Sequence, residues 1–185
     1  MIALDISANN LKIAQQLYPT LPNVTYKRAD MSAVSAKIPA AEFGVCINAI
    51  LTPHAKDRAI FFSNLKKCIK KNGTLVLTVP SLESFLLTRI IQRQFGIDKK
   101  TFAEKITGKK ALQKWTLLMQ GVGEIDQVPH KHFLEEELLL NLGKAGFNMI
   151  EIKKIEYPWS TEFNHPPSWL QSPKPWDWMV LAQKK

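Results

Sequence analysis

Short apolar runs alternate with stretches of helical periodicity through the first half of the chain. Residues 2–6 form the first run, with Asp5 near its end and Ser7 placed to start a helix. Residues 8–18 follow with Leu11, Ala14 and Leu17 at the spacing of one helical face, and Pro19 and Pro22 end that helix. Residues 24–29 predict a strand closing on Asp30, and 31–37 no more than a helical turn before Pro39. Residues 43–50 predict a strongly apolar strand. After Pro53 a helix is expected to about Lys71, with Phe62, Leu65 and Ile69 inward, and Asn72-Gly73 should turn it directly into a strand over 74–79. Pro80 closes that strand. Ser81 then caps a helix whose Leu82, Leu86 and Ile90 are expected to face the sheet. Such repeats with short links predict a mainly parallel sheet covered by helices.

The pattern changes at Gly96. Residues 96–129 are polar and lysine-rich, with a helix expected over 109–119 and a turn at Gly121–Gly123. They read as an insertion laid over the sheet within a single domain spanning 1–185. A clear helix follows over 134–144, where Glu135, Glu136 and Glu137 suit the positive end of the helix dipole and Gly146 is a natural stop. Residues 147–157 predict a long strand with Ile150 and Ile152 on one face. After a loop rich in proline and tryptophan, 176–183 predict the last strand. Two successive strands without a helix between them imply an antiparallel pair at the sheet edge.

Composition narrows the class. A chain of 185 residues with 45% hydrophobic and 22% charged side chains has the balance of one soluble globular domain. No membrane span is expected, because the most apolar helix, over 82–91, is interrupted by Glu83 and Arg89. The first 18 residues lack the basic start and apolar run of a signal peptide. Two cysteines, Cys46 and Cys68, are too few for a disulfide scaffold or a zinc knuckle, so a reducing cytoplasm is the expected setting. The net charge of +9 resides largely in lysine pairs such as Lys66-Lys67, Lys70-Lys71, Lys99-Lys100 and Lys109-Lys110. No aromatic residues interleave with them and no nucleic-acid motif accompanies them, so they read as solvated faces and nucleic acid is not an expected partner.

The order of these elements resembles the class I S-adenosylmethionine-dependent methyltransferase family. "ALDIS" is similar to that family's second strand, "YKRAD" to its third, and "EFGVCINAILTPH" to its fourth strand and following turn. "LKKCIKKNGTLVLTVPS" is similar to its helix–turn–strand, and "HKHFLEEELLLNLGKAGFNMIEI" to the closing helix and strand of the small-molecule enzymes. The resemblance implies a Rossmann-like α/β fold: a mainly parallel sheet, helices on both faces and an antiparallel C-terminal strand pair. It covers the chain apart from 96–129. The family's first strand and glycine-rich loop would precede "MIALDIS", and no glycine precedes Gly44. The chain therefore reads as N-terminally incomplete. Gly121-Val122-Gly123 follows a helical stretch and is a decoy for a nucleotide loop.

By the same resemblance Asp5 would hold the ribose of S-adenosylmethionine, since a carboxylate at the end of a strand near the sheet's switch point can accept from both hydroxyls. Asp30 would accept from the adenine amino group, Met31 would offer its backbone N–H to the ring, and Ile6 would pack on the adenine face. Asn48, Ala49 and Leu51 would line the methionine end. Each also has a plain reading: a capping Asp, a turn Asp, a core Ile, a satisfied buried amide. Methyl transfer needs an aligned acceptor and a place for its proton, and His54, His130 and His132 are the candidate bases. Two histidines do not make a zinc site, and no metal is expected. Asn164-His165-Pro166-Pro167 fails as a nucleic-acid amino-methylating motif, because the His breaks it and it follows the wrong strand.

The expected activity is methyl transfer to a small-molecule acceptor. A non-catalytic remnant of the fold, a subunit completed by a second chain or a homodimer, and an RNA methyltransferase are the alternatives. The missing glycine loop and antiparallel finish count against a nicotinamide dehydrogenase.

Overall fold

The computed structural model describes residues 1–98 and 105–185; the Lys99-Lys100 pair lies outside the described residues. Strand β1 (Ile2–Asp5) runs parallel to β2 (Thr25–Arg28), joined by helix α1 (Ala8–Leu17). Ser7 starts α1 by accepting the Asn10 N–H at 3.2 Å. A second sheet contains β3 (Ala41–Ile47), β4 (Ile69–Pro80), β8 (Trp176–Lys184) and β7 (Phe147–Glu156), in that spatial order. Helix α2 (Ala55–Cys68) links the parallel pair β3–β4, and α5 (Glu135–Lys144) leads into β7. Strand β8 is antiparallel to both neighbours; the β7–β8 pair is the one expected of two consecutive strands, linked here by a loop with one 3-10 turn at Trp159–Thr161. Helices α3 (Leu82–Phe95) and α4 (Gly108–Leu118) and the hairpin β5 (Val122–Ile125)–β6 (Val128–Lys131) lie between β4 and α5 in sequence. The architecture is Rossmann-like α/β with an antiparallel finish.

The core forms where period-two strands meet period-3.6 helices. Leu75, Leu77 and Val79 of β4 and Val180 and Ala182 of β8 are fully buried, packed with Phe62 and Leu65 of α2 and Leu138 and Leu142 of α5. A buried amide joins the two sheets' ends: Asn64 of α2 donates to Met31 O and Ala33 O at 2.9 and 2.8 Å. A second cluster of Ile91, Ile97, Trp159, Phe163 and Leu170 seats the proline–tryptophan loop on the end of α3.

Several local expectations are corrected. Helix α2 stops at Cys68, and Ile69 is already a buried strand residue opposite Ala41, so Lys70 and Lys71 stand on a strand. Strand β3 ends at Ile47, because Asn48 takes a left-handed φ of 44° and turns the chain out of the ladder. On α3 only the first of the three expected residues, Leu82, faces inward. Ser84, Thr88, Ile91 and Gln92 are buried, while Leu86 and Ile90 are 37% and 59% exposed. Ser84 sets this rotation by accepting the Trp176 N–H at 2.8 Å, which ties the helix to the start of β8.

The turn at Gly121–Gly123 is instead the entry to the β5–β6 hairpin. Gly121 has φ +70°, and a side chain there would run into the Lys131 ammonium, as one at Gly123 would into the Phe85 ring, so neither position has room for a Cβ. On β7 the register slips between Met149 and Glu151. Ile150 is left 58% exposed, while Ile152 packs on the core.

Candidate active site

The residues proposed to hold a cofactor each follow the C-terminal end of a parallel strand. Asp5 ends β1, Asp30 and Met31 follow β2, and Asn48 follows β3. Asp5 Oδ1 accepts the Ser7 N–H at 2.7 Å and Oδ2 the Asn10 amide at 3.4 Å, so one lone pair stays open on each oxygen. Ile6 beside it is 59% exposed. Asp30 Oδ1 accepts the Ser32 N–H at 2.8 Å in an Asx turn. Met31 packs against the core and gives its carbonyl to Asn64, while its own N–H meets no acceptor among the described residues. Asp5 and Asp30 thus have the capping and turn roles that a strand-end Asp normally has, and both keep an open face.

Beyond β3 the chain leaves the sheet in a fixed way. Asn48 N–H still bonds Thr78 O at 2.9 Å, but its side chain swings to Asp177 Oδ2 at 3.0 Å. Ala49 is exposed, Ile50 is fully buried, and Leu51 O accepts the Lys131 N–H at 3.0 Å. His54 then caps α2 without a side-chain bond to the helix. It lines an open cleft of about 570 Å³ with Pro53, Leu117, Gln120 and Pro129. His130 and His132 do not line it. Their Nδ1 atoms lie 3.0 Å from Val128 O and His130 O. His132 is buried against Phe85, centroids 4.5 Å apart, and burial pulls its pKa down to about 4.

Residues 1–77 match the family described as methyltransferase domain. Solved structures agree in fold over nearly the whole chain. A SAM-dependent methyltransferase from Methanosarcina mazei has a TM-score of 0.67 at 16% identity, covering 99% of this chain and 81% of that one. One from Mesorhizobium loti gives 0.61 at 16%, with 99% and 79% covered. The N-methyltransferase NodS from Bradyrhizobium japonicum, solved with S-adenosyl-L-homocysteine, gives 0.59 at 10%, with 99% and 65% covered. The chain has the class I methyltransferase fold. No curated protein matches it by sequence.

Sequence reading missed an acidic side chain at these strand ends. Asp177, opposite Pro80 in the β4–β8 ladder, stands beside Asn48 where the parallel strands end. It is half-buried, and burial raises its carboxyl pKa against the lowering effect of the Asn48 amide. No donor among the described residues reaches Oδ1. Tyr157 stands nearby, donating its hydroxyl to Glu162 at 2.9 Å, and burial raises its pKa strongly. An aspartate between two tryptophans on a C-terminal strand has no periodic signature; only the β4–β8 register brings it to Asn48. Among the described residues no group of three His, Cys, Asp or Glu side chains forms a metal site.

Proposed function

We propose that the chain binds S-adenosylmethionine and transfers its methyl group to a small-molecule acceptor. The observation that carries this is the Asp5–Ile6 corner: a carboxylate with open lone pairs at a strand end, beside an exposed aliphatic side chain. Asp5 holds both ribose hydroxyls, Ile6 covers one adenine face, and Asp30 with the free Met31 N–H reads the adenine edge. Asn48, Ala49 and Leu51 border the amino-acid end. The bound cofactor supplies a methyl group on a sulfonium that already makes it electrophilic. The protein's work is to hold the acceptor in line and to take its proton. Asp177 Oδ1 is placed for that proton, and the raised carboxyl pKa makes it a stronger base than an exposed aspartate. His54 faces the cleft on the acceptor side, and His130 follows Pro129 of its lining in the chain. The buried neutral His132 holds the hairpin. Acceptor choice falls to the insertion over 96–129, of which Leu117, Gln120 and Pro129 line the cleft beside His54.

Calorimetric titration of S-adenosylhomocysteine tests the cofactor half. Asp5→Asn keeps an acceptor for the Ser7 N–H and removes the charge. It should weaken binding about 10- to 30-fold, corresponding to roughly 1.5–2 kcal/mol for hydrogen bonds to a charged group. Equal affinity for both proteins would remove Asp5 from the site. Asp177→Asn tests the transfer half. Cofactor affinity should hold, while methyl transfer from labelled cofactor into a panel of amines and phenols should fall about 100-fold. A parallel loss of cofactor affinity would instead place Asp177 in the cofactor pocket.

A second reading has its own support. Strands β1–β2 stand in one sheet and β3–β4–β8–β7 in another, and Phe43, Val45 and Ile47 of β3 are 56–65% exposed. Such an apolar strand with an open edge favours completion by a further strand, from a second copy or a partner chain. Cofactor binding that rises with protein concentration would support it.

A further inference from the structure

The structure assigns α4 a role apart from methyl transfer: we propose that it docks the protein on anionic lipid surfaces. The helix presents its apolar stripe outward. Leu112, Trp115 and Met119 recur at helical spacing, yet they are 66%, 59% and 68% exposed, and no residue of α4 is buried. The opposite side holds the helix to the protein. There Leu117 lines the cleft above α2, and Lys114 pairs with Glu124 of β5 at 2.7 Å. The greasy side is therefore turned away from the body by contacts on the other side. An amphipathic helix packing for stability would face the other way.

Charge selects the occupant. Helix α4 carries Lys109, Lys110 and Lys114 and no acidic residue; Lys105, Lys109 and Lys110 are exposed in a chain of net charge +9. Leu, Trp and Met on one side and lysines around it match the interfacial helix of a peripheral protein, whose tryptophan sits at the headgroup boundary. A nucleic acid would satisfy the lysines and leave Leu112 and Met119 uncovered. A second copy would find too little surface: three side chains fall well short of about 800 Å² per partner in a stable pair. Anionic lipid accounts for both halves of the helix.

Sedimentation of the full chain with vesicles tests this. Vesicles of phosphatidylcholine with about a third phosphatidylglycerol should carry the protein down, with at least 10-fold weaker binding to pure phosphatidylcholine and release at high salt. Leu112→Glu with Met119→Glu should weaken binding at least 10-fold, while the melting temperature stays unchanged because both side chains are exposed. Blue-shifted emission on anionic vesicles should be lost in Trp115→Phe. The proposal is overturned by equal binding to neutral and anionic vesicles, or by undiminished binding of the double variant. Self-association through the stripe, or binding of RNA alone, would overturn it equally.

Discussion

Glu137→Ala is expected to lower the unfolding free energy by about 3 kcal/mol, the lower part of the range for breaking a buried ion pair. Lys131 is the reason. It is 1% exposed, the least accessible charged side chain among the described residues, and its ammonium bonds Glu137 Oε2 at 2.6 Å and Gln120 O at 2.9 Å over the Phe133 ring. Burial lowers its pKa, and the Glu137 hydrogen bond and charge work against that. Without Glu137 the ammonium keeps one carbonyl and a ring face. Glu137 is itself 30% exposed, so water can enter in its place and hold the cost below the top of the range. Glu137→Gln keeps an acceptor and should cost about half as much. Lys131→Met with Glu137→Leu should return close to the parent stability, since apolar replacement of both partners removes the desolvated charge. Urea denaturation of the three variants decides the matter. A cost under about 0.5 kcal/mol for Glu137→Ala would mean that the pair behaves as an exposed one. The pair also bears on the site. Lys131 joins β6 to α5, reaches the end of α4 through Gln120 O, and fixes Leu51 through its own N–H.

The elements with one polar and one apolar side were legible in the sequence; those whose orientation is set by a single hydrogen bond were not. Strand β8, the α5 acidic start and the Ser81 cap follow from alternation, dipole and capping rules that act within a few residues. Helix α3 defeats that approach. Leu82 is buried as its periodicity expects, but beyond the Ser84 bond to Trp176 N–H it is Thr88, Ile91 and Gln92 that turn inward, not Leu86 and Ile90. The bulge at Ile150 and the early end of α2 depend on pairing with distant strands, which local patterning cannot register. Asp5, Asp30 and Asn48 were legible as candidates because carboxylates and amides at strand ends are conspicuous in apolar runs. Asp177 was not, since its partner Asn48 lies across the whole sequence. The lysine pair at 109–110 read as an ordinary solvated face until the exposure of Leu112, Trp115 and Met119 showed which side of α4 is turned out.

Acid should destabilise the protein through His132, and the His132→Phe variant should lose that part of the pH dependence. The imidazole is 3% exposed, packed on Phe85, with His130, Lys131 and Arg89 near enough to oppose a positive charge; burial is the largest cause of its fall to about 4 from an ordinary 6.5. The carbonyl of His130 at 3.0 Å holds Nδ1 and partly offsets these effects. Between pH 6.5 and 4 the unfolded chain binds a proton at this residue that the folded chain refuses. The stability contributed by neutral His132 is therefore complete above pH 6.5 and is lost as the pH falls toward 4, by up to about 3 kcal/mol over that interval. Carboxylates titrate in the same window, so a single curve does not isolate the histidine. Denaturation of parent and His132→Phe at pH 7 and pH 4.5 does, because the carboxylate contribution is common to both. Phenylalanine keeps the ring contact with Phe85 and forfeits the bond to His130 O, a constant offset at both pH values. The parent should lose about 2–3 kcal/mol more than the variant between the two conditions. Equal losses would mean that the imidazole takes up its proton in place, through an opening of the hairpin away from Phe85. In that case the β5–β6 hairpin, and with it Lys131 and the Pro129 wall of the cleft beside His54, would be the part of the fold that loosens first in acid.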